Sequence, residues 1–208
     1  MKNSAFIIRK DSLYLRGKSK IILPLLAVCL VIYGCGIFDT RESEKPNTIR
    51  STYIPPTTPE LVIDNISFSV QEKNSDNYIK CVSPIGFQYV PDSKSQLIYG
   101  SLFVGWNSTS EKKYFDNLVG ATEVTASSVL FLDNKNFTLI SSDSATFNAR
   151  YIIVFQHRIS NIPKSAEGNV TMYLSTDENN LFYISRWEDY RINDTDFTWS
   201  ELRANFSY

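Results

Sequence analysis

Residues 145–159 read ATFNARYIIVFQHRI, and this stretch decides the fold class. Its apolar residues recur at every second position, the period of a half-buried β-strand. On that period Tyr151, Ile153, Phe155 and His157 share one face. The run is long enough to cross a large sheet and curl around a core. Similar patterning on both sides predicts strands at Val124–Leu132, Asn136–Ser142, Gly168–Ser175 and Asn180–Asp189. Asp133-Asn-Lys135 and Asp177-Glu-Asn179 carry turn residues and predict hairpins. Phe197–Leu202 predicts a short strand or turn that closes the domain.

Upstream the period changes. Thr57 with Glu60 has the spacing of a capping box, and Pro59 suits a first helical turn. Leu61, Val62, Ile66 and Val70 follow at helical spacing, predicting a helix over about 58–72. Ser75 or Asp76 caps a second, short helix that turns Tyr78, Ile79 and Val82 inward. Cys81 on it reads as a small buried hydrophobe. Pro84-Ile-Gly86 ends that helix, and Phe87–Val90 predicts a short strand. Residues 92–107 show no clear period. Ser108 with Glu111 is another capping box; Tyr114, Phe115 and Leu118 line one helical face, and Gly120 stands where a C-terminal cap would. Helices followed by strands predict an α+β domain, with N-terminal helices packed on a curved, mainly antiparallel sheet.

The first 57 residues have a different character. Lys2, Arg9, Lys10, Arg16, Lys18 and Lys20 precede an apolar run, Ile21–Tyr33, of 13 residues. This is the layout of a secretory signal. A membrane-spanning helix needs about 20 apolar residues, and this run is shorter and contains Pro24. Ile32-Tyr33-Gly34-Cys35 resembles a bacterial lipobox. The resemblance implies cleavage between Gly34 and Cys35 and acylation of Cys35. An ordinary cleaved signal would instead leave Cys35 as a free thiol. Cys29 follows Val28, where the lipobox wants a small residue. The domain plan is then a signal peptide over 1–34, a polar, Pro-rich tether over 35–57 and a folded domain over 58–208. Gly36, rather than Asp, after the Cys implies delivery to the periplasmic face of the outer membrane under proteobacteria-like sorting.

The whole chain has 21 Lys/Arg and 22 Asp/Glu; without the six basic and one acidic residues of 1–34 it keeps 15 and 21, a formal charge of -6. An acidic surface of mixed sign excludes nucleic acid as the expected partner. With Cys29 in the signal and Cys35 acylated, Cys81 is alone, so stability has to come from packing rather than a disulfide. Six Asn-x-Ser/Thr triplets, from Asn65 to Asn205, follow from a composition rich in Asn, Ser and Thr.

A helical pair ending in Asp76-Asn-Tyr78, a capped third helix and a meander of long strands resembles the nuclear transport factor 2-like superfamily. The tail, with Trp187-Glu-Asp189 and Trp199-Ser-Glu-Leu202, is similar to that of envelope lipoproteins carrying this domain. Cys35-Gly-Ile-Phe-Asp39 and Pro55-Pro-Thr-Thr-Pro59 fit the same group. The resemblance implies a cone, a bent sheet wrapped on helices with a pocket at its mouth, and in some relatives a homodimer through the open sheet face. Superfamily members include isomerases, dehydratases, polyketide cyclases, transport factors and binding proteins, so the fold leaves function open.

His157 is the only histidine, which leaves a Ser-His-Asp hydrolase or a His-built metal site little to work with. Tyr151, Phe155, His157 and Trp187 are the candidate pocket residues, and no catalytic set stands out. The bland alternative for His157 is a half-exposed residue at a strand end. Glu188 and Asp189 read as surface residues at the end of a strand, and the three tryptophans, Trp106, Trp187 and Trp199, as core. The Asp/Asn turns lack the alternating ligands and distal Glu of a calcium loop, and no Gly-rich phosphate loop occurs among only 8 Gly. No metal or cofactor is expected. The expectation is a lipid-anchored envelope protein whose cone binds a small apolar ligand or an envelope protein. The alternatives are a cone-pocket isomerase or dehydratase using His157 and a Tyr, and a structural accessory subunit.

Overall fold

The computed structural model describes residues 51–208. The expected signal peptide, its cleavage site at Gly34 and Cys35, and the first part of the tether lie outside the described residues.

Helix α1 (Pro59–Glu72) opens on Pro at its first position and buries Val62, Ile63, Ile66 and Val70 along one stripe. The expected Thr57–Glu60 capping box does not form. Thr58 is the N-cap and its side chain makes no cap bond; Pro59 at the first position leaves one fewer orphan N–H to satisfy. Lys73 ends the helix in the left-handed region (φ 53). Its ammonium donates to the carbonyls of Glu123, Val124 and Ala126 at 2.6–2.9 Å. Asn74 caps α2 (Ser75–Lys80).

After β1 (Gln88–Val90) the stretch without a period is helical: α3 (Ser93–Phe103) is capped by Asp92 and kinked at Tyr99. Its Leu97 and Ile98 point outward, which is why no inward stripe could be read. Helix α4 (Ser108–Ala121) takes Asn107 as its cap, and Glu111 turns inward instead of closing a capping box. Gly120 lies inside this helix; Thr122 is the C-cap.

Strands β2 (Ser128–Ser141), β3 (Ser144–Phe155), β4 (Ser165–Thr176) and β5 (Phe182–Tyr190) form an antiparallel meander. β1 adds in parallel to β5, so the sheet is mixed, in the order β1-β5-β4-β3-β2. Asp133-Asn-Lys135 is not a hairpin. It is a bulge inside the continuous strand β2, with Asn134 at φ 51, and the turn comes later at residues 142–143. Register also shifts between Leu139 and Ser141 on β2, and opposite Tyr173–Leu174 β5 carries an extra residue, Ser185; such bulges bend a sheet. The C-terminal segment is not a strand but helix α5 (Trp199–Phe206), with a complete capping box between Thr198 and Glu201.

Alternation on β3 and β4 sends Phe147, Tyr151, Ile153, Phe155, Val170, Met172 and Leu174 inward against the helices. Burying each such side chain contributes about 1.5–3 kcal/mol. Ile54 and Pro56, within the stretch expected as tether, bond to the folded domain. Ile54 exchanges two hydrogen bonds with the Asn65 side chain, and Phe182 N–H donates to the Pro56 carbonyl at 2.7 Å.

Candidate binding site

Two places in the domain could host chemistry: the interior of the curved sheet and an external cleft. The interior is filled by the protein's own side chains. Arg203 of α5 and Glu111 of α4 are both fully buried. The guanidinium donates from Nη2 to Oε1 at 2.7 Å and from Nε to Oε2 at 2.9 Å. Tyr78 Oη and Trp106 Nε1 donate to the same carboxylate at 2.7 and 2.8 Å. The guanidinium carbon lies 4.2 Å from the Tyr89 ring centre and 4.5 Å from that of Trp187, with Trp199 and Tyr114 just beyond. A delocalised cation between π-faces is favourable there. Burial, with the Glu111 carboxylate close by, raises the Tyr78 hydroxyl well above its usual range. The nearby Glu111 charge holds Arg203 protonated against its burial.

A second buried carboxylate, Asp189, sits beside this pair. Its Oδ1 accepts from Tyr151 Oη at 2.7 Å, and its Oδ2 accepts from Ser200 N and Oγ at 2.7 and 2.5 Å. Burial pushes its carboxyl above the usual range, partly offset by those bonds and by Arg203. A third, Asp92, accepts from Ser95, Thr198 and Arg191. Burial alone would raise it, but the bonds from Ser95 and Thr198 and the Arg191 charge outweigh that and hold it low. All three carboxylates anchor α5, the helix that closes the interior.

The four residues expected at a pocket are core residues. Tyr151 is fully buried between Asp189 and the backbone N–H of Trp199. Phe155 packs edge-on against Phe115, and Trp187 packs edge-on against Trp199. His157, 1% exposed, is buried rather than half exposed. It lies past the end of β3, bridged to Thr122, with its ring against Phe206 and Nε2 at 3.1 Å from the Pro163 carbonyl. No carboxylate bonds to it. The sequence pattern puts Glu188 and Asp189 at the surface; both are buried, Asp189 under Ser200 of α5 and Glu188 between Arg186 and Tyr190, which donate to it. The three tryptophans are core, as expected, and two of them, Trp187 and Trp199, also lie against the Arg203 cation. Among the described residues no group of three or more His, Cys, Asp or Glu could hold a metal.

The external cleft, about 1200 Å³, is open to solvent between α2, α4 and the β4–β5 turn, and contains none of the four expected residues. Ile79, Val82, Leu181 and Phe182 give it an apolar floor, and Ile85, 87% exposed, stands on its rim. Tyr53 and Pro56 form the wall beside the start of the described chain. Lys80, Lys112, Lys113, Asp116, Asp177 and Glu178 supply its charges. Only tertiary structure assembles it, so no local pattern marks it in the sequence.

No protein-family model matches the sequence, nor does any curated protein. Solved structures do. The chain is similar to a nuclear transport factor 2-like superfamily protein from Salmonella enterica serovar Typhimurium, at 12% identity over 64% of this chain and 88% of that one, with a TM-score of 0.46. It is similar to a nuclear transport factor 2-like protein of unknown function from Shewanella oneidensis, at 10% identity over 62% and 93%, TM-score 0.39. It is also similar to a hexachlorocyclohexane dehydrochlorinase, LinA type 2, at 7% identity over 66% and 85%, TM-score 0.48.

Proposed function

We propose that this chain is a lipid-anchored envelope protein whose nuclear transport factor 2-like α+β cone binds rather than catalyses. The observation that carries the reading is the closed interior. A catalytic acid or base needs a substrate within hydrogen-bond reach. Both oxygens of Asp189 are taken by Tyr151 and Ser200, and Glu111 is saturated by Arg203, Tyr78 and Trp106. The enzyme alternative relies on His157 and a Tyr; the buried His157 ring lies against Phe206 and Nε2 faces the Pro163 carbonyl, with no carboxylate bonded to it. The working surface in this reading is the external cleft. Anchoring rests on the lipobox-like Ile32–Cys35 and the polar run after it.

The outer sheet face supports a second reading, a protein partner such as an envelope subunit or a second copy. Phe131 (59% exposed) stands opposite Ile152 (36%), an apolar cross-strand pair in solvent. Light scattering on the purified protein reads a second copy there as a doubled mass, and in-cell crosslinking from Phe131 reads an envelope subunit.

Two measurements test the proposal. An alkyne fatty acid fed to expressing bacteria should label the full chain and leave Cys35→Ala unlabelled; label on Cys35→Ala overturns the anchor. Native mass spectrometry of the detergent-extracted protein should show an added mass that is lost on denaturation. An apo mass combined with an isomerase or dehydratase turnover that His157→Ala abolishes overturns the binding reading.

A further inference from the structure

The loop between β3 and β4, residues 156–164, hangs on one side chain. His157 is its only buried residue; Ile162 is half-buried and the rest are exposed. Phe155 N–H donates to the Lys164 carbonyl at 2.9 Å and closes the base of the loop. Arg158 docks it on the end of α4, donating from its backbone N–H to the Ala121 carbonyl at 2.9 Å and from Nη2 to the Gly120 carbonyl at 3.1 Å. His157 pairs with Thr122 as an isolated bridge and lays its ring on Phe206 of α5, with 5.1 Å between ring centres.

The hydrogen bond fixes the tautomer. Nε2 lies 3.1 Å from the Pro163 carbonyl, and a carbonyl only accepts, so Nε2 carries the hydrogen. Nδ1 is then the bare nitrogen; it is buried and has no hydrogen-bond partner among the described residues. A proton added there puts a second N–H and a full charge where nothing accepts them, which is costly. Thr122, Pro163 and Phe206, which meet the ring, do not titrate. The titratable residues beside them are Glu123 after α4, Arg158 and Lys164 on the loop, and Tyr208 after α5, all exposed. Arg203 on α5 is taken by Glu111. No carboxylate bonds to the ring to compensate a charge on it.

We propose that His157 is an acid-sensitive latch: a proton at Nδ1 releases the 156–164 loop from the ends of α4 and α5 and uncovers Phe206 and Ile162. The latch goes beyond the cleft reading and does not rest on it, since the cleft meets α4 between Ser108 and Asn117, before its last turn. The open form binds the extra proton, so the closed form is favoured at high pH and is lost as the pH falls. An exposed histidine titrates at about 6.5. A proton taken only by the open loop therefore raises its population about tenfold from about pH 7.5 to about pH 5.5. The test is amide hydrogen exchange, read by mass spectrometry on the detergent-extracted full chain at those two pH values, with each rate divided by its intrinsic rate. Protection of residues 156–164 and of the last turn of α5 should fall about tenfold at the lower pH while α1 stays protected. His157→Gln keeps an N–H for the Pro163 carbonyl and takes no proton, so its loop should show no such response. Slow deuterium exchange at Cε1 of His157, the only histidine, follows its proton uptake and should share the midpoint of loop opening. Unchanged loop protection in the wild type, a pH response retained by His157→Gln, or proton uptake with the loop still closed overturns the latch. Loss of protection in α1 together with the loop marks general acid unfolding and overturns it too.

Discussion

Arg203→Met asks whether the interior ion pair holds the fold together or only occupies space. Met keeps most of the apolar stem and lacks the guanidinium. The change removes the Arg203 donors from Glu111 and leaves that carboxylate with Tyr78 and Trp106 alone. Breaking a buried pair by deleting one partner costs about 3–5 kcal/mol. At about 2–4 °C per kcal/mol for a domain of this size, the Tm should fall by roughly 6–20 °C. Glu111→Gln in the same chain removes the stranded charge and keeps one acceptor for Tyr78 or Trp106. The double variant should therefore regain about 2 kcal/mol over Arg203→Met. Urea denaturation followed by circular dichroism reads both values. A loss below about 1 kcal/mol for Arg203→Met, or a double variant that loses the sum of both single losses, would refute the reasoning.

The remaining predictions concern neighbouring groups. Asp92 is held low, so it binds fewer protons folded than unfolded near pH 4; its stabilisation is present above its unfolded pKa of about 3.9 and is lost as the pH falls. Asp92→Asn should flatten that acid limb in urea midpoints taken from pH 2 to 7. Asp189 is raised and acts with the opposite sign: its contribution declines as the pH climbs from about 4 toward its folded value. Asp189→Asn should remove that decline, and a pH profile identical to wild type would contradict the assignment. At Gly168 a Cβ would sit 2.6 Å from Tyr151 Oη and 2.7 Å from the Tyr190 carbonyl. Gly168→Ala should therefore cost about 1–3 kcal/mol and displace the Tyr151–Asp189 bond; unchanged thermal stability would show that the strands shift freely.

The legible part of the fold is the part whose burial has a period. Helices α1, α2 and α4 and strands β3 to β5 each carry an inward stripe, and all can be read near their true positions. Helix α3 could not be read, since Leu97 and Ile98 face solvent and its register comes from Asp92 bonding to Thr198 and Arg191, about a hundred residues away. The aromatic alternation of Phe197 and Trp199 suggests a strand, whereas the Thr198–Glu201 capping box was the signal of a helix. Asp133-Asn-Lys135 has turn chemistry because a bulge needs the same left-handed freedom. The interior could not be read at all. Glu111 and Arg203 are 92 positions apart, and each alone looks like an ordinary surface charge on a helix. The cleft is equally silent, being built from a turn, a loop and two helices that meet only in the folded chain.

The paired bonds between Ile54 and Asn65, with the Pro56 carbonyl on Phe182, act as a cleat for whatever lies upstream. Tension applied ahead of Ser51 meets the bonds of Ser51 with Asn77 and of Thr52 with Glu72 first, and is then grounded in the middle of α1 and at the start of β5. The load path therefore stops at the rim of the domain. Until those bonds yield, the polar network beneath α5 carries none of the pull.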